Sequence, residues 1–347
     1  SAMEAQQSLL SDHPDSKYAP AQMAALGFNY ETIADFESAA TWYEALHAAA
    51  PDHPEATDAL FSAVVFRRSL GSLDAALAGT RALEATGDER VSGLLIDIGQ
   101  SLMDAERWAD AADLYRAFAA EPPAHATDAQ RSFARLRLAE AAVALDQPDV
   151  ARDAWQAVVD AGTTGEDYAE AAYHLLEEQR LAYLAMRIDG AQRPGQPRSF
   201  DARLQRQVKE KVEALKDLET AYGAVVDAGS LTWGLAALVN VGDAYEALAT
   251  ALLTSPVPPD LTPEQAQMYT ERIEDLAWMQ EQRAIELYGL IMERSMKMRS
   301  YDESTAAALG RLEVLDPEAW PGLSEELIRA GFTTEGGYGV GIMETAE

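Results

Sequence analysis

The fold is decided by a stretch near the N-terminus, Met23–Pro51, which reads MAALGFNYETIADFESAATWYEALHAAAP. Its apolar and small residues recur at three- and four-residue spacing, which is typical of amphipathic helices. Gly27, Tyr30, Ala39, Tyr43 and Pro51 follow one another at intervals of 3, 9, 4 and 8 residues. The small residues let two helices approach closely, and the aromatic residues fill the space beside them. The stretch therefore predicts a pair of packed helices.

Weaker copies of the second helix follow further along the chain. Their matching alanines are Ala39, Ala76, Ala111 and Ala151, at intervals of 37, 35 and 40 residues. The pattern resembles the tetratricopeptide repeat, a helix pair of about 34 residues, although the second copy has Val64 in place of Gly27. The resemblance implies an all-α fold in which successive pairs form a right-handed superhelix. Because the intervals exceed the family's norm, we expect longer loops or helices.

The C-terminal half also predicts helices, and these are longer. Thr262-Pro263-Glu264 supplies an N-cap, a proline at the first helical position and an acid in the first turn. Periodicity and helix stops predict helices at Glu166–Ile188, Phe200–Val226, Leu231–Leu253, Pro263 to about Arg299, Tyr301–Leu315 and Leu323–Ala330.

This pattern divides the chain into four parts. They are an N-terminal extension with a residue of tag cleavage (1–18), four tetratricopeptide-like pairs (19–162), a long-helix tetratricopeptide-like region (163–330) and a Gly-rich tail (331–347). Val239–Glu246 again resembles a first helix of the repeat. Together with the proline-rich 256–263 segment and the long helix after it, it is similar to large repeat proteins of deltaproteobacterial envelopes, some of them in gliding-motility machinery. That resemblance implies the periplasm or cell envelope, with the cytoplasm as the alternative.

Composition narrows the function classes. The 347 residues are 48 % apolar and 24 % charged, which suits a folded core, and contain no cysteine for a thiolate nucleophile or metal ligand. The 58 acidic residues outnumber the 27 basic ones and give a net charge of −31. Such a surface repels phosphate groups, so we expect no nucleic-acid partner. The longest uncharged apolar stretch, Ala228–Gly242, is shorter than the ~20 residues that span a bilayer, so we expect no direct membrane insertion.

The sequence contains no pattern of catalytic or metal-binding residues. None of the five histidines forms an H-E-x-x-H motif or an i, i+4 pair, and no phosphate-binding loop or nucleophile elbow is present. We therefore expect no enzyme, no catalytic residue, no metal and no cofactor. Met292, Met296 and Met298, with Trp278 and Met279, have helical spacing that predicts core packing rather than a soft binding surface.

The tetratricopeptide resemblance indicates where a partner would bind. In that family the ligand lies in a concave groove lined by the first helix of each pair. The corresponding face here mixes aromatic, aliphatic and charged side chains, which suits an extended peptide or a helix. These residues are Phe28, Glu31, Phe61, Val65, Arg68, Asp97, Gln100, Arg137 and Glu140. The alternative to a binding face is that these side chains are merely solvated or pack against the protein itself.

A second candidate is a basic segment in the acidic chain. Between Arg180 and Lys216 nine Lys or Arg residues stand against four acids. The segment predicts a site that docks an acidic surface. Its candidate residues are Arg193, Arg198, Arg203, Arg206, Lys209 and Lys211. A charge-balanced helix with a flexible loop is the alternative.

These features favour two functions. The first is a non-enzymatic scaffold that holds other proteins in a multiprotein assembly, for which the envelope resemblance indicates a bacterial envelope. The second is a peptide-binding adaptor or chaperone that uses the concave groove. The sequence names no partner and no oligomeric state.

Overall fold

The computed structural model describes residues 2–162 and 164–322, and these residues form fifteen α-helices and no β-strand. This confirms the all-α fold of tetratricopeptide-like helix pairs, with longer helices in the C-terminal half. The chain divides into two compact units, Ser1–Leu175 and Leu176–Glu347, here called unit 1 and unit 2. The predicted helix at Leu323–Ala330 and the Gly-rich tail lie outside the described residues.

Unit 1 consists of short helices in sequence. They are α1 (Ala2–Asp12), α2 (Ala19–Thr32), α3 (Phe36–Ala49), α4 (Ala56–Ser69), α5 (Leu73–Thr86), α6 (Val91–Asp104), α7 (Trp108–Ala120), α8 (Asp128–Ala144), α9 (Pro148–Asp160) and α10 (Glu166–Leu175). The pairs are α2–α3, α4–α5, α6–α7 and α8–α9. We call the first members (α2, α4, α6, α8) A helices and the second members (α3, α5, α7, α9) B helices.

The turn from A helix to B helix is the same in all four pairs. Each is three residues long and its middle residue has a positive φ: Ala34 (60°), Gly71 (76°), Glu106 (56°) and Asp146 (56°). The residue after it donates its N–H to a carbonyl five residues back, as Asp35 does to Tyr30 and Arg107 to Leu102. This is the Schellman arrangement that satisfies the last carbonyls of a helix.

Because the four turns have the same length, the differences between the repeat intervals of 37, 35 and 40 residues come from other parts of the repeats. The linkers between pairs are six residues (50–55), four residues (87–90) and seven residues (121–127), and α8 has 17 residues where α4 and α6 have 14. The expected longer loops and helices are thus the variable linkers and α8.

Close approach of the A and B helices has a steric cause. A Cβ atom on Gly27 would lie 2.3 Å from the Tyr43 ring, and one on Gly99 would lie 2.5 Å from Tyr115. In the second pair the sizes are exchanged, since Val64 on the A helix meets Gly79 on the B helix. One small residue at each contact lets the helices pack, and a continuous apolar core runs from α4 to α9.

Unit 2 contains fewer and longer helices. They are α11 (Glu177–Ala185), α12 (Phe200–Asp227), α13 (Leu231–Leu253), α14 (Pro263–Met298) and α15 (Glu303–Leu315). The helix α13 packs against α11, α12, α14 and α15. A capping box between Thr262 and Gln265 starts α14, as Thr262-Pro263 predicted. The helix α14 has 36 residues, about 54 Å.

Unit 2 repeats the small–aromatic contact of unit 1 on this larger scale. A Cβ atom on Gly242 of α13 would lie 2.5 Å from the ring of Tyr288 on α14. The Tyr288 hydroxyl donates to Glu246, four residues after that glycine, at 2.6 Å. In unit 1 the Tyr43 hydroxyl donates to Glu31, four residues after Gly27, also at 2.6 Å. This parallel supports the repeat resemblance of Val239–Glu246.

Two expectations for this half were wrong. The helix predicted over Glu166–Ile188 is broken at Leu176 into α10 and α11. Of the predicted core methionines only Met292 is buried, whereas Trp278, Met279, Met296 and Met298 are 56–64 % exposed. The buried stripe of α14 follows Ala277, Ala284, Tyr288, Ile291 and Ser295, and the exposed residues lie beside this stripe or in the last turn.

No helix in the described part of the chain has the length and apolarity needed to cross a bilayer.

Candidate partner-binding surface

The predicted groove residues all lie on A helices of unit 1. Phe28 and Glu31 are on α2, Phe61, Val65 and Arg68 on α4, Asp97 and Gln100 on α6, and Arg137 and Glu140 on α8. We call the surface that these nine residues define the A-helix face. Their contacts show which of them act together.

Two arginines link α4 to α6 along the A-helix face. Arg68 forms an ion pair with Asp97 at 3.0 Å, and both side chains are partly exposed. Arg90, at the start of α6, pairs with Asp58 of α4 at 2.9 Å, and its guanidinium lies 4.2 Å from the centre of the Phe61 ring. Arg90 also binds Asp88 at 2.6 Å and lowers the pKa of that carboxyl. Sequence reasoning missed Arg90 because it lies in a linker and outside any helical stripe.

A denser cluster lies on α8. Arg137 pairs with Glu140 at 2.7 Å and with Glu170 of α10 at 2.8 Å. Burial raises the pKa of Glu170 and of its neighbour Asp167, and the positive charge of Arg137 opposes this effect. The side chain of Arg137 is 21 % exposed. Arg137 is thus as much a structural link between α8 and α10 as a surface charge.

The charged residues of α6 and α8 also meet around Tyr115 of α7. Burial raises the pKa of the Tyr115 hydroxyl. The positive charge of Arg137 lowers this pKa, and the negative charges of Glu140 and Asp97 raise it further. The hydroxyl donates to the Ile96 carbonyl at 3.3 Å. The structure therefore brings Asp97, Arg137 and Glu140 into one neighbourhood.

The remaining predicted residues are less closely grouped. Glu31 accepts a hydrogen bond from the Tyr43 hydroxyl. Burial, with this hydrogen bond as the second cause, raises the pKa of Tyr43. Gln100 donates to Asp104 on its own helix at 3.0 Å, and Val65 packs against the core. Phe28 is 64 % exposed. Glu31 and Val65 therefore contribute to helix packing, while Phe28 presents an aromatic ring to solvent.

The basic segment has a different organisation. Arg203, Gln207 and Lys211 are spaced four residues apart on α12, and all three bind the chain that leads into it. Arg203 donates to the carbonyls of Gly190 (2.6 Å) and Arg198. Gln207 accepts the N–H groups of Asp189 and Gly190 and donates to Ala191. The three side chains hold the 183–198 segment against the helix.

Lys211 is the deepest residue of this stripe. It is 1 % exposed, and its ammonium donates to the carbonyls of Tyr183 and Met186 at 3.1 and 2.9 Å. Burial lowers its pKa to about 8. A side chain inside the fold does not contact a docked surface, so the docking role predicted for Lys211 is corrected to a structural one.

The other basic residues lie nearer the surface and mostly have acidic neighbours. Arg193 pairs with Asp189, Arg206 with Glu210 and Lys209 with Glu213, at 2.9, 2.7 and 3.7 Å. Arg198 is exposed. Such exposed pairs contribute at most about 1 kcal/mol each to stability. The docking of an acidic surface by these residues stays a prediction.

The contacts of Arg203 predict a role in holding the loop between α11 and α12. We expect Arg203→Gln to increase trypsin cleavage after Arg198 several-fold, because the backbone of residues 190–198 loses its anchor. Lys209→Gln is the matched control on the same helix, since Lys209 is largely exposed and has only a long ion pair with Glu213. Equal cleavage rates for the two variants, measured by limited proteolysis, would exclude this role.

No group of three or more His, Asp or Glu side chains in the described ranges is arranged to hold a metal ion.

Two solved structures are similar to this chain over most of its length. No protein-family model matches the chain, and no curated protein matches it. A solved tetratricopeptide repeat protein from Parabacteroides merdae is 13 % identical, with a TM-score of 0.33, over 85 % of this chain and 98 % of its own. Yeast Tom70 is 11 % identical, with a TM-score of 0.27, over 86 % of this chain and 62 % of its own.

Proposed function

We propose that the chain is a non-enzymatic protein–protein interaction scaffold whose A-helix face binds a segment of a partner protein. The observation that carries the proposal is the series of arginine–carboxylate pairs that joins successive helices on this face, Arg68–Asp97 and Arg137–Glu170. Partly exposed charges of both signs, together with the rings of Phe28 and Phe61 on the same face, offer directional and apolar contacts to an extended peptide or a helix.

The pairing of these charges favours a partner that carries charges of its own. In the free protein each arginine already has a carboxylate, so an incoming acidic or basic group exchanges one ion pair for another. Exchange costs little where the pair is exposed, because exposed pairs are worth about 0–1 kcal/mol. Arg68–Asp97, with side chains 29 % and 53 % exposed, meets that condition better than the more buried Arg137–Glu170.

We further propose a multiprotein assembly of a bacterial envelope as the setting, with the periplasm as the location. This part rests on the resemblance of the 239–263 region to envelope repeat proteins. The basic residues Arg193, Arg198, Arg206 and Lys209 provide a second contact for an acidic surface in such an assembly. An adaptor or chaperone for many clients is the alternative, and it uses the same A-helix face.

Site-specific crosslinking tests the binding face. A photoreactive amino acid at position 28 or 100 is expected to capture a partner from native lysate, whereas the same group at exposed positions Ala48 and Asp153 on the B helices α3 and α9 captures none. One partner species indicates a scaffold, and many species indicate an adaptor. Equal capture at all four positions would contradict the proposed face.

A charge reversal provides the matching loss of function. We expect Arg68→Glu to reduce capture at position 28 at least five-fold, because the glutamate faces Asp97 and removes the exchangeable ion pair. Circular dichroism is expected to be unchanged, since the Arg68–Asp97 pair is partly exposed. Arg116→Glu on a B helix, where Arg116 forms an exposed pair with Asp113, is the control. Equal loss in both variants would indicate an unspecific effect of charge.

A further inference from the structure

A cleft opens between two B helices, away from the residues of the A-helix face. It has a volume of about 650 Å³ and lies between α5 and α7, with Leu95 of α6 at its floor. Lining residues on α5 run from Asp74 to Glu84, and those on α7 run from Asp110 to Ala120. Ten residues of helix span about 15 Å, so each wall is nearly three helical turns long.

The floor of the cleft is apolar. Leu77 of α5, Leu95 of α6 and Leu114 of α7 are half-buried and line it, with the buried Phe118 behind them. Two parallel rows of helix side chains with leucines between them have the shape that accepts one apolar face of another helix. A helix presents its anchors at i, i+3, i+4 and i+7, a span that fits within these walls.

The rim of the cleft is acidic and determines the charge of the helix that fits it. Its five carboxylates (Asp74, Glu84, Asp110, Asp113 and Glu121) stand against two arginines, Arg81 and Arg107. Arg107 is occupied, since it pairs with Asp74 at 2.8 Å and with Asp110 at 2.7 Å and so ties α5 to α7 at one end.

The opposite end carries the available negative charge. Glu84 and Glu121 are exposed there, and neither forms an ion pair within the described ranges. Among the lining residues Arg81, one helical turn before Glu84, is the basic residue nearest this end, so two carboxylates stand there against one guanidinium and still attract a basic side chain. The opposite sign would be repelled by this end and by a chain of net charge −31.

We propose that this cleft docks a basic amphipathic helix of about three turns, with its apolar face on Leu77, Leu95 and Leu114 and its Lys or Arg residues over Glu84 and Glu121. The cleft is a second protein-binding surface of unit 1. It does not depend on the A-helix face, and so the two surfaces can be tested separately.

The test uses a synthetic helix as the probe. The probe is a fluorescein-labelled, acetylated and amidated 14-residue Leu/Lys peptide with leucines on one helical face. Fluorescence anisotropy with the full chain is expected to show saturable binding. A peptide with glutamine at every leucine keeps the charge, and one with glutamate at every lysine keeps the apolar face, and both are expected to bind at least ten-fold more weakly. Equal affinity of the Gln-faced peptide would overturn the proposal, because it would reduce the binding to net charge.

Two alanines of α7 provide a matched pair of variants. Ala117 lines the cleft and Ala109 does not, and both are exposed. Ala117→Arg fills the cleft and adds a positive charge there, so it is expected to weaken binding of the Leu/Lys peptide at least ten-fold. Ala109→Arg adds the same residue to the same helix and is expected to change the affinity less than two-fold. Equal affinities of the two variants would overturn the proposal.

The rim is tested with matched changes in charge. Glu84→Gln with Glu121→Gln is expected to weaken the Leu/Lys peptide about five-fold at 0.1 M salt and less at 0.5 M, where screening is stronger. Glu274→Gln with Glu293→Gln removes the same charge from exposed positions of α14 in unit 2 and is expected to have little effect. Equal weakening of peptide binding by both double variants would show that the rim plays no specific part.

Crosslinking at position 28 is expected to be unchanged in the Ala117→Arg variant, which separates this cleft from the A-helix face.

Discussion

Gly99→Ala is expected to destabilise unit 1 by about 1–3 kcal/mol, the usual cost of overpacking a well-packed contact. The added methyl would lie 2.5 Å from Cζ of Tyr115, which is closer than any normal contact between carbon atoms. Tyr115 is fully buried, and its hydroxyl is held at the Ile96 carbonyl, so the ring has little room to move. Urea unfolding followed by circular dichroism measures the change.

A second glycine on the same helix gives the control for Gly99→Ala. A Cβ atom on Gly93 would meet nothing within 4 Å, so Gly93→Ala is expected to stabilise α6 by roughly 0.5–1 kcal/mol through lower entropy of the unfolded chain. Tyr115→Leu shortens the opposing side chain, and in that background Gly99→Ala is expected to cost much less. If the cost of Gly99→Ala were the same in both backgrounds, the contact with Tyr115 would not be its cause.

Lys211→Met is expected to change how the stability of unit 2 depends on pH. The folded pKa of Lys211 is lowered to about 8 by burial, below the ordinary value of about 10.4 in an unfolded chain. Between these values the unfolded state binds more protons, so the stability of the wild type rises with pH. The slope is at most about 1.4 kcal/mol per pH unit, the limit for one proton. The methionine variant lacks this rise.

The difference between the two proteins isolates the lysine. Burial raises the pKa of Tyr183 and Tyr288, and such groups lower the stability of both proteins as the pH passes 10, where tyrosine ionises in the unfolded chain. Subtraction of the two unfolding free energies, measured from pH 7 to 10.5, removes that shared effect. Parallel curves for wild type and Lys211→Met would show that Lys211 titrates normally. Lys209→Met, at an exposed position of the same helix, is the control for the substitution itself.

The helix pairs could be predicted from sequence because their geometry depends on local spacing. Small residues and aromatics at the spacing of Gly27 and Tyr43 identify the first pair, and four alanines at intervals of 37, 35 and 40 residues locate the others. The second pair was harder to recognise because the large and small residues exchange helices, as Val64 and Gly79 show. A pattern that expects the small residue on the A helix misses such an exchange, although the packed volume is conserved.

The candidate surface was less predictable than the fold. Helical periodicity places Arg68 and Asp97 on A helices, but only the packing of α4 against α6 brings them to 3.0 Å. A count of charges treats each lysine as exposed, and Lys211 therefore looked like a docking residue. The four-residue spacing of Arg203, Gln207 and Lys211 was an available signal that these side chains share one face of α12. The cleft between α5 and α7 depends on how these two helices pack beside α6, which no local pattern encodes.

Because the turn between A and B helices is uniform, each helix pair is one structural unit. Because the three-residue turn and its hydrogen bonds are the same at Ala34, Gly71, Glu106 and Asp146, insertion or deletion of residues within a turn disrupts the end of its A helix. The linkers 50–55, 87–90 and 121–127 differ in length and already tolerate such changes. Duplication or deletion of a pair is thus expected to preserve the array when the chain is cut within these linkers, so the number of A helices on this face changes by whole pairs.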